Sequence, residues 1–462
     1  MEVKKVSTKI PWFTLLGAIG IFILGILFIM MDEILVEAVL ILGAVGLLLV
    51  YGIVRMVQCF KIKKHLEGII SLVICWGVAA ALFLLDFSNN FVALVPSVIV
   101  GIVSLILGIA RLLICINCIA NKYRGAFRNG LSSAMCLFFG IALVVRPIDN
   151  FSFLSMVTGI YMVVYSFTMF GDVFATLFHL DMSENRLRRR THRALPNIIN
   201  AVKPSSMITD INNQIKAGKV TSGVLIEEKK NTKLTTPNME VLIHLTTQGA
   251  NKFGHVDIAI GDTVYTYGTY DSSTVKMGGF IAQGCFVIVP KIPYLKYCLN
   301  YQKKYVIGFG VELSPKQLSA VKDKIDEMMA WCKPFVSNYE RANLERRDGS
   351  VYDDPASNIV RDLGGKVYVV KRGPFRHYFG INTNCVHVAD WLLSDSGIDA
   401  ISFSSLRTPG AYYTMMNNMF MRKNNRVIRK TSYILADDIT EESAGLLPAK
   451  SAESGEDNSG KE

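Results

Sequence analysis

Phe253-Gly-His255-Val-Asp257-Ile-Ala-Ile-Gly-Asp-Thr-Val-Tyr-Thr-Tyr267-Gly268 and Asn382-Thr-Asn384-Cys385-Val-His-Val-Ala-Asp-Trp-Leu-Leu393 are the two stretches whose reading decides the fold. The first alternates apolar residues at Val256, Ile258 and Ile260, turns at Gly261-Asp262 and resumes with Val264, Tyr265 and Tyr267. That is a hairpin of two short strands, opened by His255. The second has a short polar lead and then apolar residues at Val386, Ala389, Leu392 and Leu393, which is helical spacing. Cys385 therefore starts a helix, where free backbone N–H groups and the helix dipole favour negative charge on sulfur. A nearby imidazole would complete the usual activation of a cysteine nucleophile.

These residues, with His before Cys in the chain, resemble the circularly permuted papain-like cysteine hydrolases, relatives of the NlpC-type peptidases and of lecithin retinol acyltransferase. The likeness lies in Gly254-His255, the hairpin ending Tyr265-Thr-Tyr-Gly268, Tyr378 leading into Asn384-Cys385, Trp391-Leu-Leu, Gly397 and Thr408-Pro-Gly410, and it spans Met239 to Met416. It implies a thiol hydrolase, peptidase or acyltransferase in which Cys385 attacks a carbonyl carbon and His255 moves the proton. Backbone N–H groups at the helix start would hold the oxyanion, with Asn382 or Asn384 as a side-chain donor. The family's third residue, which orients the imidazole, falls at Tyr267, where relatives commonly carry His, Asn, Gln or Glu. A phenol accepts a hydrogen bond from imidazole only weakly. Asp257, two residues beyond His255 on the same strand face, is the other candidate.

The chain ahead of this domain is of another kind. With 51% hydrophobic and 19% charged residues in 462, the whole is too apolar for an ordinary soluble protein, and the excess precedes residue 180. Six segments read as membrane spans: 12–31, 34–54, 66–85, 91–115, 131–145 and 151–178. Most reach the roughly 20 apolar residues that cross a bilayer. Lys4, Lys5 and Lys9, then Arg55, Lys61, Lys63 and Lys64, then Lys122, Arg124 and Arg128 alternate with connections that hold mainly acids, and Arg186-Leu-Arg-Arg-Arg190 follows the last span. The positive-inside rule then puts both termini and the soluble domain in the cytoplasm. Most of the net charge of +11 follows from this topology rather than from nucleic-acid binding.

Glycines recur in the odd spans (Gly17 and Gly25, Gly68 and Gly77, Gly130 and Gly140), and Gly52-Ile-Val-Arg55 is echoed by Gly108-Ile-Ala-Arg111. Small residues at such intervals let helices approach closely in lipid. This pattern of three hairpins resembles the HdeD-type membrane proteins, a family associated with bacterial acid resistance, and implies a bacterial inner (plasma) membrane. Glu37, Arg111, Asp172 and His179 all lie near span ends, which points to an anchor rather than a transport pathway.

The expected organisation is an N-terminal all-α six-helix transmembrane bundle followed by a soluble α+β permuted papain-like domain. Its parts are a leader at 1–11, three helical hairpins at 12–180, a basic segment and connector at 181–237 with weak helical signal at 209–216, the hydrolase-like domain at 238–436 and a disordered tail at 437–462. Further strands are expected at Met239–Leu245, Gly284–Val289, Lys304–Val311 and Lys366–Val370, and a helix capped by Ser314 runs to about Trp331. Cys285 and Cys298 read as inert thiols, His244 and His377 as structural or exposed histidines, and His387, two positions from Cys385, as a poor general base for it. No metal-ligand set, phosphate loop or dinucleotide fingerprint is present, so no cofactor is expected. The expected partners are the bilayer and a peptide or lipid acyl substrate. Two other readings stay open: a non-catalytic binding domain on the same fold, suggested by Tyr267, and a membrane stress protein regulated by its soluble part.

Overall fold

The computed structural model describes residues 2–6, 12–61, 65–89, 91–120, 126–147, 149, 151–178, 191–192, 223–229, 236–245, 254–380, 383–398, 400–401, 408–422, 425–441 and 444–445. Two compact units result. One runs from Trp12 to Val173; the other joins the chain from Phe174 onward to the first residues, among them strand β1 (Glu2–Val6).

The first unit is helical: α1 (Trp12–Met30), α2 (Glu33–Lys61), α3 (His65–Asn89), α4 (Phe91–Ala120), α5 (Ala126–Val145) and α6 (Phe151–Leu177). Five of these, α2 to α6, are long and apolar enough to cross a membrane, while the apolar stretch of α1, Thr14–Met30, is shorter. Large apolar side chains such as Leu42, Leu47 and Phe138 face outward, as a lipid solvent requires.

Glycine decides which helices approach most closely. A Cβ on Gly108 would lie 2.8 Å from the side chain of Leu137, and one on Gly140 equally close to that of Leu105, so α4 and α5 meet nearly backbone to backbone. Ser133 Oγ seals that contact by donating to the Gly108 carbonyl at 2.7 Å. Gly52 and Gly68 bring α2 against α3 in the same way. Gly25 of α1 meets Gly159 of α6, where Ser155 Oγ donates to the Phe28 carbonyl at 3.1 Å. The close pairs are thus α2 with α3, α4 with α5 and α1 with α6. The expected hairpins paired the first span with the second, the third with the fourth and the fifth with the sixth. Of the repeat glycines, Gly25, Gly52, Gly68, Gly108 and Gly140 are sites of close packing, whereas a Cβ on Gly77 would meet nothing within 4 Å, and the close pairs join helices one step out of phase with that scheme.

The second unit is built on one ten-stranded sheet, ordered β1-β3-β14-β9-β4-β5-β6-β8-β11-β10. In chain order its elements are β2 (Thr191–His192), β3 (Val224–Lys229), β4 (Met239–Leu245), β5 (His255–Ile260), β6 (Thr263–Gly268), β7 (Ile281–Gln283), β8 (Cys285–Pro290), α7 (Lys291–Asn300) and β9 (Tyr305–Val311). Next come α8 (Pro315–Ala330), β10 (Cys332–Pro334), α9 (Asn338–Leu344), α10 (Pro355–Leu363), β11 (Lys366–Val370) and β12 (His377–Phe379). The last are α11 (Cys385–Leu392), β13 (Ala400–Ile401), α12 (Pro409–Met421) and β14 (Val427–Tyr433). The strand and helix expectations made for 239–393 fall on β4, β5, β6, β8, β9, α8, β11 and α11. Ser314 caps α8 as a full capping box with Gln317, which is why that helix begins where the sequence says it should.

Strand alternation sorts the sheet's apolar residues into two cores. Val241, Ile243, Val256, Ile258, Tyr267 and Phe309 lie with α8, α11 and α12 in one. Leu242, Ala259, Val264, Val287 and Val306 lie with α7, α10 and Ala436, Ile439 and Ala444 in the other. The unit is therefore a sheet with helices on both faces.

This unit takes in more chain than the sequence marks out. The connector supplies β3, which pairs antiparallel with β14, and the leader supplies β1, which pairs parallel with β3 through Glu2↔Leu225 to Val6↔Lys229. The segment expected as a disordered tail begins inside the fold, because Ile439 and Ala444 are buried and Lys291 Nζ donates to the Ala444 carbonyl. Residues 446–462 and the weak helix at 209–216 lie outside the described residues.

Lys291 also makes a buried ion pair with Glu240 at 2.7 Å, and Tyr433 donates to the same carboxylate at 3.2 Å. Removing one partner strands a charge in the core. Lys291→Met is expected to cost about 3 kcal/mol, with Glu240→Gln in the double variant restoring part of it. Urea unfolding of the detergent-solubilised protein, followed by tryptophan fluorescence, measures both; equal midpoints for wild type and single variant would contradict the ion pair's role.

Candidate active site

The β4–β5 register places the charged residues. His244 lies opposite His255 and Leu242 opposite Asp257, so His244, His255 and Asp257 share one face of the sheet. In the β5–β6 hairpin Ile258 pairs with Tyr265, and continuing that register sets Thr266 opposite Asp257. Gly254 turns the chain into β5 at φ 72, where a Cβ would lie 2.6 Å from the His244 carbonyl. Glycine before His255 is therefore required twice, by the left-handed backbone and by the close approach.

Asp257 is the centre of the cluster. Its side chain is fully buried, with Oδ1 at 2.8 Å from His255 Nε2 and Oδ2 at 2.7 Å from His244 Nε2. Tyr294 of α7 donates its hydroxyl to Oδ2 at 2.8 Å. The aligned hydrogen bond from His255 Nε2 goes to Thr266 Oγ1, at 2.8 Å, and Thr266 Oγ1 lies 3.2 Å from the Tyr270 hydroxyl. With Nε2 so engaged, Nδ1 is the nitrogen left for Cys385, which is near enough for its charge to raise the imidazole.

The two histidines titrate in opposite directions. Burial alone would push His255 down, but the charges of Asp257 and Cys385 and hydrogen bonds to both outweigh it and raise His255 to about 10. His244 is buried with no such second partner, and desolvation prevails over Asp257 and lowers it to about 4. Burial opposes ionisation of Asp257 too, yet its contacts with His255 and His244 hold the carboxyl well below the usual range. At neutral pH the cluster is one imidazolium, one carboxylate and one neutral imidazole.

Cys385 opens α11, and Asn384 caps it by accepting the His387 N–H at 3.0 Å. The Asn384 amide donates to the Gly380 carbonyl at 2.9 Å, so its side chain serves the cap and the preceding loop. Asn382 lies outside the described residues. Tyr267 points to the opposite face from Thr266 and donates its hydroxyl to the Phe375 carbonyl at 2.9 Å, away from His255. A shift of one residue along a strand exchanges faces. The second-strand side chain that reaches the imidazole is therefore Thr266, not Tyr267.

Cys385 and His255 open on a cavity of about 620 Å³, lined also by Gly254, Tyr270, Met277 to Phe280, Tyr294, Lys304, Tyr378, Thr408 and Pro409. The Thr408-Pro-Gly410 motif belongs here: Thr408 caps α12, and Pro409 packs on Gly254. Tyr378 is near enough to Cys385 that burial, and after it a thiolate charge, raise its phenol. Burial raises Cys285 to about 11 and both Cys298 and Cys332 to about 12. His387 packs edge-on against Phe375.

Sequence reasoning set aside His244 and passed over Thr266, Tyr294 and Lys304. Strand parity carries a signal for Thr266, since it has the parity of Asp257 across the Gly261-Asp262 turn. Tyr294 reaches the cluster from a separate helix, and nothing local reveals that.

Comparison with family models, curated proteins and solved structures finds no match.

Stability should follow these titrations. Unfolding lets His244 take up a proton from about pH 6.5, which the native state refuses until about pH 4. Stability therefore falls as pH drops through that window, and His244→Gln should flatten the slope of urea midpoint against pH there. The His255 contribution is complete below about pH 6.5 and is lost as pH rises through about 10; Asp257→Asn should remove that alkaline limb. Slopes unchanged in both variants would contradict the assigned charges.

Proposed function

We propose that the protein is a membrane-anchored cysteine hydrolase or acyltransferase that cleaves an amide or acyl ester through Cys385 and His255. The observation that carries this reading is His255 itself: Asp257 and Thr266 engage it, and it lines the same cavity as Cys385. An imidazole beside a cysteine sulfur can exchange a proton with the nucleophile.

The thiolate attacks the acyl carbon, and the oxyanion that forms is met by the N–H groups at the start of α11 and by the Tyr378 hydroxyl. His255 gives its proton to the leaving nitrogen or oxygen as the C–N or C–O bond breaks, leaving a thioester on Cys385. Neutral His255 then takes a proton from water, or from an acceptor hydroxyl, which attacks the thioester and frees the thiol. Asp257 and Thr266 orient the ring and stabilise its charge, the part first assigned to Tyr267 or Asp257. This arrangement favours an enzyme over a binding domain on the same fold, and a peptide or a lipid acyl group fits the chemistry equally.

The membrane topology has a support independent of the Lys and Arg pattern. β1 precedes the helices and pairs with β3, which follows them. An odd number of crossings between them would separate the two strands by a bilayer, so the pairing supports an even number. With five helices long enough to span, α1 is then the sixth. By the positive-inside rule the basic connections support a cytoplasmic side for both ends and the sheet domain, and the HdeD resemblance suggests a bacterial inner membrane.

Incubation with a p-nitrophenyl acyl ester is expected to leave a hydroxylamine-labile acyl group on Cys385, found by mass spectrometry and absent in Cys385→Ser; an adduct elsewhere, or none, overturns the reading. Protease-sensitive tags at the two ends should be cut together in inverted vesicles and spared together in right-side-out ones. Cleavage of one alone would contradict an even number of spans.

A further inference from the structure

The cavity beside Cys385 is biased in charge. Among the described residues its lining contains no Asp or Glu; the ionisable side chains there are His255, Cys385, Lys304 and the phenols of Tyr270, Tyr294 and Tyr378. Asp257 lies behind this wall, its charge met by His255, His244 and the Tyr294 hydroxyl.

Lys304 differs from an ordinary surface lysine. It is half-buried at the start of the run into β9, with its backbone N–H pinned to the Cys298 carbonyl at 3.0 Å, directly after Lys303 in a left-handed turn at φ 52. Lys291 pairs with Glu240, Lys324 with Glu327 and Asp395, and Lys430 with Glu227, while the buried Lys229 donates to the Asn425 carbonyl. Lys304 lines the cavity and makes no ion pair among the described residues. Gln302 lines the same wall and adds a neutral amide donor. The positive field of Lys304 is felt within the cluster, where it helps to hold His244 deprotonated.

We infer that Lys304, with Gln302 beside it, forms an anion subsite of the Cys385 cavity and selects acyl substrates that carry a carboxylate or phosphate. The inference rests on the Cys385–His255 reading and goes beyond it, since the pair alone is indifferent to charge elsewhere on the substrate. An anion on Lys304 supplies the missing counter-charge and leaves the rest of the cavity to the acyl part. The aromatic and glycine-rich wall from Met277 to Phe280 suits an apolar segment there.

A matched pair of reagents tests this on the full-length protein in detergent. Iodoacetate and iodoacetamide differ by a carboxylate and alkylate the same sulfur, so the ratio of their rates at Cys385 cancels any change in the nucleophile. The iodoacetate-to-iodoacetamide ratio is expected to fall about fivefold in Lys304→Gln, to fall further in Lys304→Glu and to decline with added salt more steeply in wild type than in Lys304→Gln. An unchanged ratio in both variants, with Cys385 still the labelled thiol, overturns the anion subsite and leaves the Cys–His pair standing. If iodoacetamide fails to select Cys385 over the other cysteines, the pair falls and the subsite with it. Protection of Cys385 by phosphatidylglycerol vesicles, but not by phosphatidylcholine vesicles or hippurate, would assign the anion to a lipid headgroup; protection by hippurate alone would assign it to a soluble acyl compound.

Discussion

A carboxylate without water must be surrounded by positive charge and donors, and Asp257 imposes that requirement on everything near it. It sits in the middle of β5 with its side chain fully buried, touched by His255, His244 and the Tyr294 hydroxyl. The charge that compensates it is carried by His255, which is why that imidazole holds its proton far above the usual histidine range. His244, with less to offset its burial, gives its proton up. Two histidines opposite each other on neighbouring strands thus differ in charge because one of them also faces Cys385. The charge of each imidazole is set by its surroundings rather than by residue type.

Much of this architecture is legible in the chain. Alternation in Val256, Ile258 and Ile260 marks β5, the Gly261-Asp262 turn marks the hairpin, and the polar lead before Val386 marks the start of α11. Gly254 before His255 has a local reason, a left-handed backbone against the His244 carbonyl. What stays hidden depends on partners distant in sequence. Tyr294 enters from α7 and Lys304 from the lead into β9, and neither has a motif. Thr266 is an intermediate case, because the hairpin register reveals its face, whereas likeness to a family pattern points one residue further on, to Tyr267, whose hydroxyl is spent on Phe375.

The same contrast holds for the helices. Glycine spacing marks where helices touch, and Gly108, Gly140, Gly25 and Gly159 all lie at close contacts. It does not say which helix the partner is. The edge of the sheet is filled by β1 and β3 from segments read as leader and connector, because short polar strands such as Glu2–Val6 lack an apolar pattern of their own. Those strands tie the start of the chain to the domain after the helices.

The account depends on His255 activating Cys385, and site-resolved alkylation tests this most directly. The detergent-solubilised protein would be treated with limiting iodoacetamide at about pH 6, where ordinary thiols react slowly, and labelling of each cysteine followed by mass spectrometry in wild type and His255→Ala. Labelling of Cys385 ahead of Cys285, Cys298 and Cys332, falling at least about tenfold in the variant, is the expected result. Labelling of Cys385 at the rate of an ordinary exposed thiol, and equal in the two proteins, would contradict the account.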